Sequence, residues 1–495
     1  MRLKFNSNLL DIFNLILEIL PSDQEIFLVG GAVRDNLLGR ALHDLDFALP
    51  VDPTLLARKL ARRLSVGYFV LDDDRHTARV LYRDSGGENI SLDFVKFTGK
   101  NLSEDLSNRD FTINAMAVSL RDLDTVIDPL KGQEDIRRYL IRVCSVHALL
   151  DDPVRVLRGI WMAVQFRMSY ASGVEDLMFA ASKQLPRTSL ERQRDAFIKI
   201  LESHDPYSGL KDCRRFEVFQ TLFPILIAQE SIPASPPHTL SLFEHTLVAV
   251  KEYHHILQLL LATENASVDP WTGYQSLMDL KTFSDELKQF FEGEITPGRS
   301  KQGLSMLAAL LHDIGKPSTM DVGEDDRVHY FGHELLGADL ASEATKRIKL
   351  SNAESEWIYT FICHHMSLST WINSQEEISR KGIYRFFKKT GDVSPAILLF
   401  SLADSLATYG KNLPLDKWQK KINWIKEIFT AWWYEKNSLV MPEPLLNGHE
   451  LQNEFGLQPG KKIGELIGFL IEAQVGGEVV NKDDARDFIA KQLKI

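Results

Sequence analysis

The sequence predicts an α+β protein, with a small mixed α/β head followed by an all-α remainder. Three observations carry this. Residues 25–140 alternate short apolar runs of strand character with helix-like runs. From residue 141 onward the apolar stripes read as helical. Nine of the 14 histidines fall between His238 and His365, each chemistry-bearing one in an apolar, helix-like context. With 44% hydrophobic and 25% charged residues the 495-residue chain is ordinary for a globular protein of several domains, which excludes wholesale disorder.

Residues 1–24 read as an amphipathic leading helix. Asp11, Asn14 and Glu18 interrupt Leu9–Leu20, so that run does not read as a signal segment. No stretch is expected to be long and apolar enough to span a bilayer. Gly30-Gly31 follows the strand-like Phe27-Leu-Val and opens a helix-like run. Asp44-Leu-Asp46 and Asn89–Val95 read as strands, and Pro129 and Gly132 mark a turn. Asp151 or Asp152 caps the next helix, with Pro153 in its first turn. Four segments result: a head over 1–140, a helical neck and body over 141–235, a helical domain over 238–410 and a helical tail over 411–495. Pro233, Pro236 and Pro237 mark the boundary before the histidine-rich domain. Ser267–Gly298 is more polar and reads as an excursion within it, and the tail turns at Asn447-Gly448 and Pro459–Lys462.

The head's residues point to phosphate chemistry. Residues i and i+2 of a strand share a face, so Asp44 and Asp46 can reach the same metal ions. Mg²⁺ favours a few carboxylates with waters and phosphates, and two such ions stabilise both the attacking and the leaving oxygen of an in-line displacement. Unpaired N–H groups where Gly30 and Gly31 open a helix suit a triphosphate. Asp93, in the alternating run Asn89–Val95, adds a third carboxylate suited to act as base or extra ligand.

Gly30-Gly31 followed by Asp44-Leu-Asp46 resembles the polymerase-β-type nucleotidyltransferases. More narrowly it resembles the bacterial class II tRNA CCA-adding enzymes and their poly(A) polymerase relatives. Asn108-Arg109-Asp110 through Asn114-Ala115 resembles that family's second motif, with Asn108 where the family usually has arginine. Ile127–Ile136 is similar to its hinge segment, and Asp151-Asp152-Pro153-Val154-Arg155 through Arg158 to its base-reading motif. Glu191–Phe197 resembles a last motif that braces the neck, with Ala196 where the family usually has glutamate. The resemblance implies that Gly31, Arg34, Arg109 and Arg158 hold the triphosphate and that Asn114 fixes the sugar. Asp152 and Arg155 would read the base. Cytosine and adenine each present an exocyclic amine beside an unprotonated ring nitrogen, which an aspartate and an arginine satisfy. Uracil and guanine present the opposite polarity and leave both partners unpaired.

The later histidines run in the order His245, His312-Asp313, His333, His364-His365, then Asp404. This resembles the HD superfamily of metal-dependent phosphohydrolases. The ligand set expected is His245, His312, Asp313, His333, His364 and Asp404, inside a helical bundle. Imidazole with carboxylate suits Mn²⁺, Fe²⁺, Ni²⁺ or Zn²⁺. Lys316 is placed to hold a phosphate. Phosphomonoesters or 2′,3′-cyclic phosphates at damaged RNA ends are the substrates the resemblance implies.

Three cysteines without metal spacing fit a reducing, cytoplasmic setting. The net charge of −11 argues against a nucleic-acid partner, but residues 131–215 hold 15 Lys/Arg against 11 Asp/Glu, consistent with a tRNA-binding neck. The expected reaction is addition of CMP, and of AMP in a full CCA enzyme, from CTP and ATP to the tRNA 3′ end with Mg²⁺. Only 14 residues separate Asp93 from Asn108, where full CCA-adding relatives usually carry a longer flexible loop, so CC addition without the terminal A is expected. The rivals are a poly(A) polymerase and an HD phosphohydrolase with an RNA-binding head. Oligomeric state is not legible in the sequence.

Overall fold

The computed structural model describes residues 3–72, 76–83, 87, 89–262, 271–324, 327–373 and 377–494. They form two compact units, one of residues 1–204 and 212–218, the other of 205–211 and 219–495.

The first unit is built on a seven-stranded mixed sheet. Its strands are β1 (Phe27–Val29), β2 (Asp44–Leu49), β3 (Tyr68–Asp72), β4 (Thr77–Arg83), β5 (Asn89–Lys96), β6 (Ala117–Ser119) and β7 (Asp122–Ile127), in the order β3-β4-β5-β2-β1-β6-β7. The pair β2–β5 is parallel and sets Asp46 opposite Asp93, while β1 runs antiparallel to β2 with Val29 opposite Asp46. Alternation decides which side chains face the core. Leu45 and Phe47 are fully buried, and Phe47 stacks on Phe94 of β5 at 5.0 Å, so Asp44 and Asp46 take the other face. The leading helix, Ser7–Ile19, is capped by Asn6 and buries Leu9, Ile12, Phe13 and Ile16 at helical spacing. Phe13 meets Phe47 edge-on, so this helix backs the strand that carries the two aspartates.

The base-reading segment starts differently from expectation. The helix runs Arg155–Phe166 with Val154 at its cap and no side-chain cap, and Asp152 is extended at φ −143°. Pro153 lies in the turn before the helix rather than in its first turn. Asp152 is thereby released from capping, and its carboxylate is free for other partners.

The second unit is helical apart from two short two-stranded ribbons among its described residues. Residues 267–270 of the expected polar excursion lie outside the described residues. The rest of that segment is a packed part of the domain. Leu277, Leu280, Phe283, Leu287 and Phe291 are buried, because a polar average hides an apolar stripe at helical spacing. Residues 380–412 do satisfy length and hydropathy criteria for a membrane span, contrary to expectation. Their most apolar window is 78% buried within the protein, which marks the interior of a helical bundle. Asn447 is an N-cap and not only a turn, with Glu450 completing a capping box for Gly448–Phe455.

Close approach requires a glycine at Gly315. A Cβ there would lie 2.2 Å from the carbonyl oxygen of His333 and 2.8 Å from the Gly337 nitrogen. This contact lets the segment after His312-Asp313 cross the start of helix His333–Arg347. Gly315→Ala is expected to destabilise the domain by on the order of 2–3 kcal/mol, because both clashing atoms are backbone. A melting temperature equal to that of the parent chain would contradict this.

Candidate active site and candidate metal centre

In the first unit a cavity of about 670 Å³ opens beside β2. Gly30, Gly31, Arg34, Asp44, Asp46, Arg109, Asn114, Asp152, Arg155 and Arg158 all line it, so ten of the eleven residues expected there converge. Trp161, Arg192 and Lys199 complete much of the wall. Gly30 has φ +73°, and a Cβ on it would come within 3.0 Å of Arg109 Nη1 and 3.4 Å of Asp46 Oδ2. The glycine therefore lets guanidinium and carboxylate close on the backbone. Its own N–H is bonded to the Met116 carbonyl at 3.3 Å, so it does not face the cavity as an unpaired donor.

The carboxylates are unequally placed. Asp46 has its pKa raised by burial first, offset in part by Arg109, with Asp93 and Asp44 raising it further. A partly buried acid pressed by two others is a site short of positive charge, which fits a divalent cation. Asp93, beside Asp46 in the sheet, is the one expected site residue that does not line the cavity. Both its oxygens are taken by Arg79, at 2.7 and 2.6 Å. Paired in this way and off the cavity wall, Asp93 is placed to act through its charge rather than as a base.

The arginines divide into supports and exposed groups. Arg34 is buried and spends its guanidinium on Asp35 and on Asn114 Oδ1. Asn114, also buried, bonds Asp110 at 3.1 Å, and Asp110 pairs with Arg158 at 2.8 Å. Burial would raise the Asp110 pKa, but Arg158 and Asn114 outweigh it and hold the carboxyl below its usual value. Arg109 bonds Asp105 through Nε and Nη2, leaving Nη1 beside Gly30. Arg155 is held by the carbonyl oxygens of Ala148 and Asn108 at 2.9 and 3.1 Å. Asp152 Oδ2 accepts from Arg192 at 2.6 Å, while its Oδ1 is buried without a hydrogen-bond partner among the described residues. An orphaned acceptor on a cavity wall is suited to an amine donor.

In the second unit His245, His312, Asp313, His333, His365 and Asp404 converge. Asp313 is the hub. Its Oδ2 lies 3.1 Å from His312 Nε2 and 3.6 Å from His245 Nε2, and its Oδ1 lies 3.5 Å from His333 Nε2 and 4.0 Å from His365 Nε2. Asp404 Oδ1 is 3.1 Å from His245 Nε2. Two trios have ligand atoms close enough for one ion each, His245–His312–Asp313 and Asp313–His333–His365, with Asp313 shared. The Nε2 atoms of His245, His312 and His333 and both Asp313 oxygens are buried and make no well-aligned hydrogen bond among the described residues, although Lys316 stands at ion-pair distance from Asp313 Oδ2, and this donor set fits a divalent cation. Burial would raise the Asp313 pKa, but His312 and Lys316 outweigh it and hold it well below the carboxylate range. Lys316 Nζ pairs with Asp313 at 2.6 Å.

The cluster contains His365, and not the expected His364. His364 is half-buried and lines a separate cleft with Cys363, Trp371 and Lys389, whereas His365 is buried beside His312 and His333. Successive residues on a helix point about 100° apart, so only one of two adjacent histidines can face the centre.

The chain matches the Poly A polymerase head domain over residues 26–142 and the HD domain over 279–409. It is 30% identical to the A-adding tRNA nucleotidyltransferase of Deinococcus radiodurans, covering 94% of each chain. The chain belongs to the bacterial tRNA nucleotidyltransferase family. Like its relatives, this tRNA nucleotidyltransferase is an enzyme. It is also 28% identical to the CC-adding enzyme of Thermus thermophilus, over 94% of this chain and 93% of that one. Its fold is that of the Thermotoga maritima CCA-adding enzyme solved with tRNA, at TM-score 0.58 and 21% identity, covering 99% and 96% of the two chains.

Two residues of this nucleotidyltransferase escaped sequence reasoning. Arg192 reaches Asp152 from 40 residues away, on helix Leu190–Leu201, and only its motif position hinted at it. Trp161 offered no signal beyond its helical spacing from Arg158.

Proposed function

We propose that this enzyme adds CMP to the 3′ end of tRNA, uses Mg²⁺ at Asp44 and Asp46, and stops before the terminal A. The link between β5 and the next helix, Leu102–Ser107, carries the CC-only reading. It is five residues long, and four of the five are tied by hydrogen bonds. Phe97 N–H donates to the Leu49 carbonyl, Thr98 donates twice to Asp105, Lys100 N–H donates to Glu104, and Asn101 caps the helix. Such a link has no slack to swing into the site. Sequence identity does not choose between the activities, since relatives at 30% and 28% add A and CC respectively.

In the reaction proposed, the RNA 3′-hydroxyl oxygen attacks the α-phosphorus of CTP. The new P–O bond forms as the bond from the α-phosphorus to the α–β bridging oxygen breaks, pyrophosphate leaves with that bond's electron pair, and the hydroxyl proton passes to solvent. Mg²⁺ held by Asp44 and Asp46 would supply charge neutralisation for the displacement. Arg109 Nη1 and Arg158 offer donors to the phosphates, Arg34 and Asn114 brace them, and Asp152 Oδ1 accepts from the cytosine amine. Purified protein with tRNA lacking its last three nucleotides and labelled CTP or ATP is expected to give a ladder ending at CC. Efficient addition of the final A overturns the CC-only reading, and long tails from ATP alone on other RNA favour a poly(A) polymerase.

Asp152→Ala removes the orphaned acceptor. The preference for CTP over UTP is expected to fall by roughly 1–3 kcal/mol, or about 5- to 150-fold in the ratio of kcat/KM. An unchanged ratio would remove Asp152 from base reading.

The orphaned imidazole nitrogens around Asp313 support a second reading for the other unit. We propose that His245, His312, Asp313, His333, His365 and Asp404 bind a divalent transition metal, with Lys316 receiving a phosphate ester for hydrolysis. Both activities suit a cytoplasmic enzyme.

A further inference from the structure

The imidazoles of the second unit are not all held alike. Nδ1 of His312, His333 and His365 lies 2.8, 2.7 and 2.6 Å from the carbonyl oxygens of Ala309, Tyr330 and Ile362, each three residues back. Each such bond places the proton on Nδ1 and leaves the Nε2 lone pair aimed at the centre. His245 departs from this pattern. Its Nε2 faces Asp404 and Asp313 in the same way, but its Nδ1 meets a side chain, Nδ1 of His238, at 3.4 Å. The two rings pack edge to face with centroids 4.6 Å apart, in a small cleft that Lys316 and Tyr330 also line. His238 lies in the loop that precedes helix Leu242–Leu261, which carries His245.

From this contrast we infer that His238 is the positioning residue for His245. It accepts the Nδ1 proton, so that His245 presents Nε2 to a divalent cation. This rests on the metal-centre reading of the cluster. A ligating histidine needs its second nitrogen protonated and fixed, and here the fixing group is an imidazole whose own proton must then sit on Nε2. The arrangement has a consequence the other three ligands do not share. Their backbone partners survive any side-chain substitution, whereas the orienting group of His245 can be removed. The trio His245–His312–Asp313 therefore depends on His238, and the trio Asp313–His333–His365 does not.

The test uses the full chain, stripped with chelator and titrated with Mn²⁺ by calorimetry, with melting temperatures taken in chelator. His238→Asn keeps an acceptor near the Nδ1 position, while His238→Phe keeps the ring packing and loses the acceptor. The asparagine variant is expected to bind Mn²⁺ within a few-fold of the parent. The phenylalanine variant is expected to bind about 10–100-fold more weakly at one trio, as for lost outer partners of metal-bound histidines. Parent-like affinity of His238→Phe overturns the inference, and so does equal loss in both variants. If His238→Phe melts lower in chelator, His238→Ala replaces it, since it demands no space. A parent chain that takes up no Mn²⁺ overturns the metal-centre reading itself, and this inference with it.

Discussion

Replacing Asp46 by asparagine is expected to lower CMP addition by on the order of 10³-fold or more, since bound metal contributes several kcal/mol of transition-state stabilisation and each 1.36 kcal/mol is tenfold in rate. Asparagine keeps the shape and the strand but loses the charge. Asp44 alone, at the exposed start of β2, cannot hold the ion in register with the cavity wall. The same variant is expected to fold at least as well as the parent without metal. The Asp46 pKa is raised on folding, by burial first and then by Asp93 and Asp44, against Arg109. The unfolded chain therefore ionises this group more readily. Native stability is fullest below the unfolded pKa and declines as pH rises towards the raised folded value. Above the unfolded value the ionisable side chain costs the native state stability that asparagine does not. Single-turnover incorporation of labelled CMP and melting in chelator check both halves. Activity within tenfold of the parent, or a clear fall in melting temperature, would count against the acidic site.

Asp313→Asn is expected to empty the second unit of metal while nucleotide addition continues. Both Asp313 oxygens face the four imidazoles, and both trios use the residue, so neither can form without its charge. The loss of Mn²⁺ affinity is expected to exceed the roughly 10–100-fold typical of an outer partner, because a ligand itself is lost. Asparagine also leaves Lys316 without its 2.6 Å counter-charge, so the melting temperature is expected to fall. Metal content after dialysis measures the first effect. Retained stoichiometry would exclude Asp313 as the shared ligand. Loss of CMP addition at unchanged fold would show that the two activities are not separable in this way.

How much of the site could be read without coordinates depended on sequence distance. Asp44 and Asp46 were legible because strand alternation is local. So were Gly30-Gly31 and the order His245, His312-Asp313, His333, Asp404, through motif resemblance. The short link after Asp93 was legible as a residue count, though not the hydrogen bonds that tie it. The helix start at Arg155 is not legible because capping signals compete, and Asp152 gives one oxygen, Oδ2, to Arg192 instead of capping. Within the polar stretch Ser267–Gly298 the apolar residues are sparse yet evenly spaced, so their packing in the described part, 271–298, shows only in the fold.

The sequence by itself determined the α+β plan, the family and most of the chemistry-bearing residues, since these rest on local periodicity and residue type. Only the tertiary structure decided which groups meet. It paired Asp93 with Arg79 while setting it beside Asp46, turned His365 rather than His364 inward, and set His238 against His245. The physical reason is that strand register, helix rotation and close backbone crossings such as Gly315 over His333 are fixed by packing between segments far apart in the chain.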